Sequence, residues 1–129
     1  MKKKDFIIGV DFDGTLFETL HPQVGAPIDE MIQLVKYLHN EGFIIQIWTC
    51  RDGGEDERCA REALVKHQIP YDLFNENPQW QIDKYGGDCR KSGADVFIDD
   101  KNIGGIPPIP TIIDDIYQRY YLKTITAHV

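Results

Sequence analysis

The chain alternates between short, mainly apolar runs and longer stretches in which apolar residues recur every three or four positions. Residues 6–10 (FIIGV), 43–48 (FIIQIW) and 95–98 (DVFI) are of the first kind. Runs without polar alternation suit strands covered on both faces, as in a parallel sheet. Between the first two runs Ile28, Met31, Ile32, Val35 and Leu38 fall at helical spacing, with Pro27 and Asp29 suited to the helix entry and Gly42 to its exit. A second helix is predicted over residues 55–67. Glu55, Asp56 and Glu57 would stand at its positive end, and Lys66 and His67 at its negative end. Its Ala60, Ala63, Leu64 and His67 share one face, and Pro70 follows its stop. The order strand, helix, strand, helix, strand implies right-handed crossovers and an α/β three-layer sandwich with a central, mostly parallel sheet. Residues 71–74 (YDLF) predict a further short strand.

The tail has a different texture. Pro107, Pro108 and Pro110 argue against regular helix or central strand at that point, since proline lacks an N–H and fixes φ. The prolines read as a rigid loop rather than a ligand for a proline-recognition domain. Residues 111–113 are expected to resume a strand, and Ile116, Tyr117, Tyr120 and Tyr121 to lie on a last amphipathic helix.

At 129 residues, with 42% apolar and 27% charged side chains, the chain has the size and material for one core, so residues 1–129 read as a single domain. A net charge of −7 disfavours a nucleic-acid partner, because neutralising phosphates takes clustered cations and residues 1–4 carry only three lysines. No apolar run nears the roughly 18 residues of a membrane span, and residues 6–10 are too short for a signal-peptide core. The expectation is a cytoplasmic protein with no membrane partner. Cys50, Cys59 and Cys89 are odd in number and lack CxxC spacing, which indicates neither a disulfide framework nor a zinc site. Cys50 has no His near it in sequence to make it a nucleophile, and a structural thiol is the simpler reading.

In open α/β sheets, ligands bind beyond the carboxyl ends of the strands. That rule gathers Asp11 and Asp13 after the first run, Thr49 and Arg51 after the second, and Asp99 and Asp100 after the third. Four carboxylates on one edge would repel one another and any anionic substrate. A hard divalent cation resolves both conflicts, and an all-oxygen donor set favours Mg²⁺. With side chains alternating, Asp11 and Asp13 lean to the same side, and Gly14 suits the turn behind them.

With these residues in hand, residues 6 to about 102 resemble the haloacid dehalogenase superfamily of phosphohydrolases, whose catalytic domain is Rossmann-like. DFDGT at residues 11–15 is similar to the superfamily's first motif, IWTCR carries Thr49 as the second, and FIDD resembles the fourth. The resemblance implies Asp11 as nucleophile, Asp13 as acid/base and Thr49 as a donor to the phosphoryl oxygens. It also implies a Mg²⁺ site formed by Asp11, Asp13 through its main-chain carbonyl, Asp99 and Asp100. The third motif is a single Lys or Arg, for which Lys91 is preferred, with Arg90 as a neighbour and Lys84 in reserve. Gly14, Thr15, Cys50 and Arg51 are the expected substrate contacts in the motifs, with His21, Arg58, Trp80 and Tyr85 as further candidates in the loops. The turn at Gly53 and Gly54 is a candidate anion-facing turn, although three consecutive acids follow it.

The implied activity is Mg²⁺-dependent hydrolysis of a phosphate monoester through an aspartyl phosphate, on a small molecule or a macromolecule. Residues 18–27 leave only a short loop, and residues 69–91 are too short for an independent lid, which makes this a capless type. Its open site would be covered by substrate or by a second copy in a homo-oligomer. Two other readings use the same residues. A receiver-like signalling module also accepts phosphate on an acidic cluster, but on a middle strand rather than in DxDGT on the first. A catalytically silent scaffold is the third, against which stand all the catalytic residue types.

Overall fold

The computed structural model describes residues 3–127, so Met1 and Lys2 of the basic start lie outside the described residues. The elements run β1 (Lys3–Val10), β2 (Phe17–Leu20), β3 (Gln23–Pro27), α1 (Asp29–Asn40), β4 (Phe43–Ile47), α2 (Glu55–Lys66), β5 (Leu73–Phe74), α3 (Gln79–Tyr85), β6 (Val96–Ile98) and α4 (Ile109–Ala127). Four strands form a parallel sheet in the order β5-β4-β1-β6. This is an α/β fold of the three-layer, Rossmann-like kind.

Strand alternation divides the sheet's two faces. Phe6, Ile8 and Val10 of β1, with Phe43, Ile45 and Ile47 of β4, join the main core with Leu34, Val35 and Leu38 of α1, Ala60 and Leu64 of α2, and Ile112 and Ile116 of α4. Helices α1, α2 and α4 therefore cover one face. The other face carries Ile7, Gly9, Gln46 and Phe97, and α3 with its flanking loops covers part of it. Gly9 lets Phe97 and Ala94 come close, since a β-carbon would stand 3.0 Å from the Phe97 ring and 3.1 Å from Ala94 Cβ, so that one of them would have to give way.

Three expectations need correction, and one helix is added. Residues 18–27 are not a bare loop but most of an antiparallel hairpin, β2 paired with β3. Residues 69–91 include α3, a helix with no buried residue and hence no apolar stripe to betray it. Residues 111–113 are not strand but the start of α4, whose Ile112 is buried while Ile113 packs against the same core. The helix also runs through Pro110, which sits in the first turn, where backbone N–H groups have no intrahelical acceptor and a missing one costs little. Among the described residues, no helix is long and apolar enough to cross a membrane.

Candidate functional site

The carboxyl ends of β1 and β6 bring three acids together. Asp11 donates its backbone N–H to the Ile98 carbonyl at 3.0 Å, so the segment leaving β1 stays in register with the end of β6, where Asp99 and Asp100 follow. Phe12 is fully buried in the core, which turns Asp11 and Asp13 together to the opposite side. Asp11, Asp99 and Asp100 each offer a carboxylate oxygen, all within 4.8 Å of one another. Two fully charged carboxylates at that separation repel by roughly 3 kcal/mol at an effective dielectric of about 20, less where solvent reaches them. Burial above all, then the hydrogen bond shared with Asp100 and the charges of Asp99 and Asp100, push the Asp11 carboxyl up to about 7. Among the described residues no Lys or Arg forms an ion pair with any of the three. It is these three side chains that have the spacing a metal ion needs.

Thr15 and Gly14 shape the cluster from below. Thr15 is fully buried; its hydroxyl donates to Asp11 Oδ2 at 3.3 Å and accepts the Asp100 N–H at 3.2 Å. It was expected to touch substrate, but both bonds hold the cluster itself together. Gly14 has φ +86°, and a β-carbon on it would lie 2.3 Å from Asp100 Oδ2. Its role is therefore to leave room for Asp100.

The Asp13 carboxylate stands outside the cluster, as it would if only its main-chain carbonyl faced a metal ion. Arg51 takes both its oxygens, Nε–H to Oδ2 at 2.8 Å and Nη2–H to Oδ1 at 2.9 Å. The remaining guanidinium N–H groups go to the carbonyls of Pro22 at 2.7 Å, Gln23 at 2.7 Å and Asp56 at 2.9 Å. With five donors bound and 1% of its surface exposed, Arg51 has nothing left to offer a substrate. The bond to Asp13, ahead of the opposing cost of burial, raises the Arg51 pKa.

Thr49 follows β4 as expected, with its N–H bound to Asn75 Oδ1 at 2.8 Å and its hydroxyl accepting the Arg51 N–H at 3.3 Å. That hydroxyl keeps its own proton to donate. Cys50 is exposed and free beside it. Lys91 does not reach the acids: its side chain is exposed and lines a cavity of about 630 Å³ between α3 and β6, with Tyr85 and Phe97. Lys84 lies 5.4 Å from the Tyr85 ring centroid, also without a carboxylate partner among the described residues. The anion-facing turn is filled from within, since the Gly53 N–H donates to Glu57 Oε1 at 2.9 Å. Nor is His21 or Arg58 aimed at substrate: His21 binds Asp56 at 3.0 Å, and Arg58 pairs with Glu55 and Glu62 along its own helix.

No protein-family model matches the chain, and no curated protein does. It is similar to the solved structure of a conserved protein from Bacteroides thetaiotaomicron, at 32% identity over 88% of this chain and 90% of that one, with a TM-score of 0.73. The chain belongs to the family of that protein. A crystal structure of a target protein from Vibrio cholerae is 25% identical over 92% of this chain and 98% of its own, with a TM-score of 0.49.

Within the fold of this family, two polar groups matter that the sequence did not bring forward. Asn75, at φ +52°, clamps the loop after β4 by accepting the Thr49 N–H and donating Nδ2–H to the Arg51 carbonyl at 2.8 Å. Gln46, wholly buried at the middle of FIIQIW, donates to the Glu76 carbonyl at 2.9 Å and Asn77 Oδ1 at 3.3 Å, and accepts the Ser92 hydroxyl. Asn77 in turn holds the Lys91 carbonyl at 2.9 Å and the Gly93 N–H at 2.8 Å. The available signal was Gln46 itself, a lone polar residue in an apolar run, which must find buried partners.

Proposed function

We propose that this protein is a Mg²⁺-dependent phosphatase of the haloacid dehalogenase type, hydrolysing a phosphate monoester through an aspartyl phosphate on Asp11. The observation that carries the reading is the convergence of Asp11, Asp99 and Asp100 at the ends of β1 and β6, with Thr49 at the end of the adjacent β4. Asp11, Asp99 and Asp100 suit a hard cation: three oxygen donors, no basic side chain neutralising them among the described residues, and an Asp11 carboxyl whose charge is disfavoured without one. Held there, Mg²⁺ would neutralise the acids and offset the charge of an incoming phosphoryl group.

The remaining chemistry belongs to the chain. Asp11 attacks phosphorus, forming the aspartyl phosphate as the bond to the leaving oxygen breaks. Asp13 gives that oxygen a proton and later takes one from the water that hydrolyses the intermediate. The Thr49 hydroxyl donates to the phosphoryl oxygens, and Lys91 supplies positive charge once its exposed side chain swings to the bound phosphate. The hairpin and α3 are too small to enclose the site, so the substrate is either a macromolecule presenting a phosphate or a small molecule covered by a second copy. The free thiols Cys50, Cys59 and Cys89 suit a cytoplasmic setting.

Phosphate release from p-nitrophenyl phosphate, with and without Mg²⁺, tests the reading in wild type and Asp11→Asn. Mg²⁺-dependent turnover that Asp11→Asn abolishes is expected. Turnover equal in both proteins, or none in either across a panel of phosphate monoesters, would overturn it and move the weight to a receiver-like module or a silent scaffold.

A further inference from the structure

The five bonds of Arg51 form an asymmetric arrangement. Three of its acceptors are backbone carbonyls, from the hairpin turn at Pro22 and Gln23 and from the first turn of α2 at Asp56. These approach from two separate elements and fix the guanidinium plane independently of Asp13. Asp13, by contrast, is half-buried on the loop leaving β1, and its carboxylate is held by Arg51 alone among the side-chain hydrogen bonds of the described residues. The plane is set by the scaffold, and the carboxylate follows it.

We propose that Arg51 is a positioning residue for Asp13, using the hairpin and α2 as a frame to hold that carboxylate beside the nucleophile. The inference rests on the phosphatase reading. A bidentate fork fixes both oxygens of a carboxylate in one plane, whereas a lysine ammonium fixes only a point. The Arg51 side chain is sealed from water, so its hold is not dissipated as that of a surface pair would be. Phe12, between the two acids, closes the arrangement with its ring centroid 5.3 Å from Arg51 Cζ. The hairpin, which encloses nothing, thereby acquires a use: its turn carbonyls anchor the residue that aims Asp13.

A double-mutant cycle on p-nitrophenyl phosphate separates aiming from mere structural support. The phenolate of this substrate departs without a proton, so Asp13→Ala still forms the aspartyl phosphate, and kcat reports the slower hydrolysis step in which Asp13 serves as base. Arg51→Lys is expected to lower kcat about 100-fold with little change in KM, the usual consequence of a catalytic group displaced by about 1 Å. In the Asp13→Ala background the same substitution should change kcat less than about threefold. The full loss recurring in that background, or a loss carried by KM, would overturn the inference. Arg51→Gln serves as a second variant with the same expectation. If both fail to fold while Asp13→Ala folds, Arg51 is structural and the inference falls. A wild type without turnover removes the phosphatase reading and this inference with it; an active wild type with additive losses removes the inference alone.

Discussion

Gly14 and Asp100 occupy almost the same space: a β-carbon on Gly14 would lie 2.3 Å from Asp100 Oδ2 and 2.7 Å from its Cγ. The loop after β1 passes directly beneath the last acid of the cluster, and a side chain there would have to push the Asp100 carboxylate aside.

Gly14→Ala should therefore do two kinds of damage. The positive φ costs an L-residue about 1–2 kcal/mol, and the displaced Asp100 should lower Mg²⁺-dependent turnover at least tenfold. Gly53→Ala is the control, since Gly53 has φ +79° with nothing within 4 Å of the added carbon. Urea denaturation should show a similar strain cost in both variants, and only Gly14→Ala should lose Mg²⁺ affinity by calorimetry.

A pH dependence of stability follows from the raised Asp11 carboxyl, about 7 in the folded chain against about 3.9 when unfolded. Below pH 4 the group is protonated in both states. As pH rises from 4 to 7 the unfolded chain sheds this proton more readily, so the associated stability is lost across that window. The melting temperature of metal-free protein should fall between pH 4 and 7, and Asp11→Asn should flatten the decline. Saturating Mg²⁺ should flatten it as well.

The strands of the sheet were legible because burial on two faces leaves no polar alternation, and the acids were legible because they stand where those runs end. Arg51 was not. In RDGGEDER it looks like one more member of a solvated charge cluster, and only the tertiary approach of the hairpin reveals five acceptors around it. The hairpin was hidden for a related reason. Of β2 only Phe17 is buried, and β3 contributes no fully buried residue, so neither strand shows a half-buried alternation. The nearby Pro22, Gly25 and Pro27 read as loop residues. Pro110 misled in the other direction, since a proline that forbids a helix interior is compatible with its first turn.

The Gln46, Asn77 and Ser92 network predicts a division of labour around Lys91. Asn77 binds the main chain on both sides of Ser92, so Asn77→Ala strands the Gly93 N–H and the Lys91 carbonyl and leaves Gln46 Nε2 with the Glu76 carbonyl alone. Each stranded group costs about 1–3 kcal/mol, and the melting temperature should fall by several degrees along with kcat. Lys91→Ala removes an exposed side chain, and it should lower kcat/KM at least tenfold while leaving the melting temperature within a degree. Thermal denaturation measured beside turnover separates the two. Equal activity of Lys91→Ala and wild type would transfer the cationic role to Arg90 or Lys84.

Thr15 offers the sharpest separation of stability from metal binding. Its hydroxyl is the only link, among the hydrogen bonds of the described residues, that joins the side chain of Asp11 to the backbone of Asp100 through a third residue. Thr15→Val keeps the buried shape but deprives the Asp100 N–H of its acceptor, at a cost of about 1–3 kcal/mol. Asp11 also loses a donor to its ionised form, which should shift the balance further toward protonation. Mg²⁺ titration by calorimetry should show weaker binding at pH 7 than at pH 8, with wild type less affected over the same interval. Thr15→Ser, which keeps the hydroxyl and loses a buried methyl, should do the reverse: destabilise by about 1 kcal/mol with Mg²⁺ affinity retained. Identical Mg²⁺ affinity in the Val and Ser variants would show that the hydroxyl supports the fold alone.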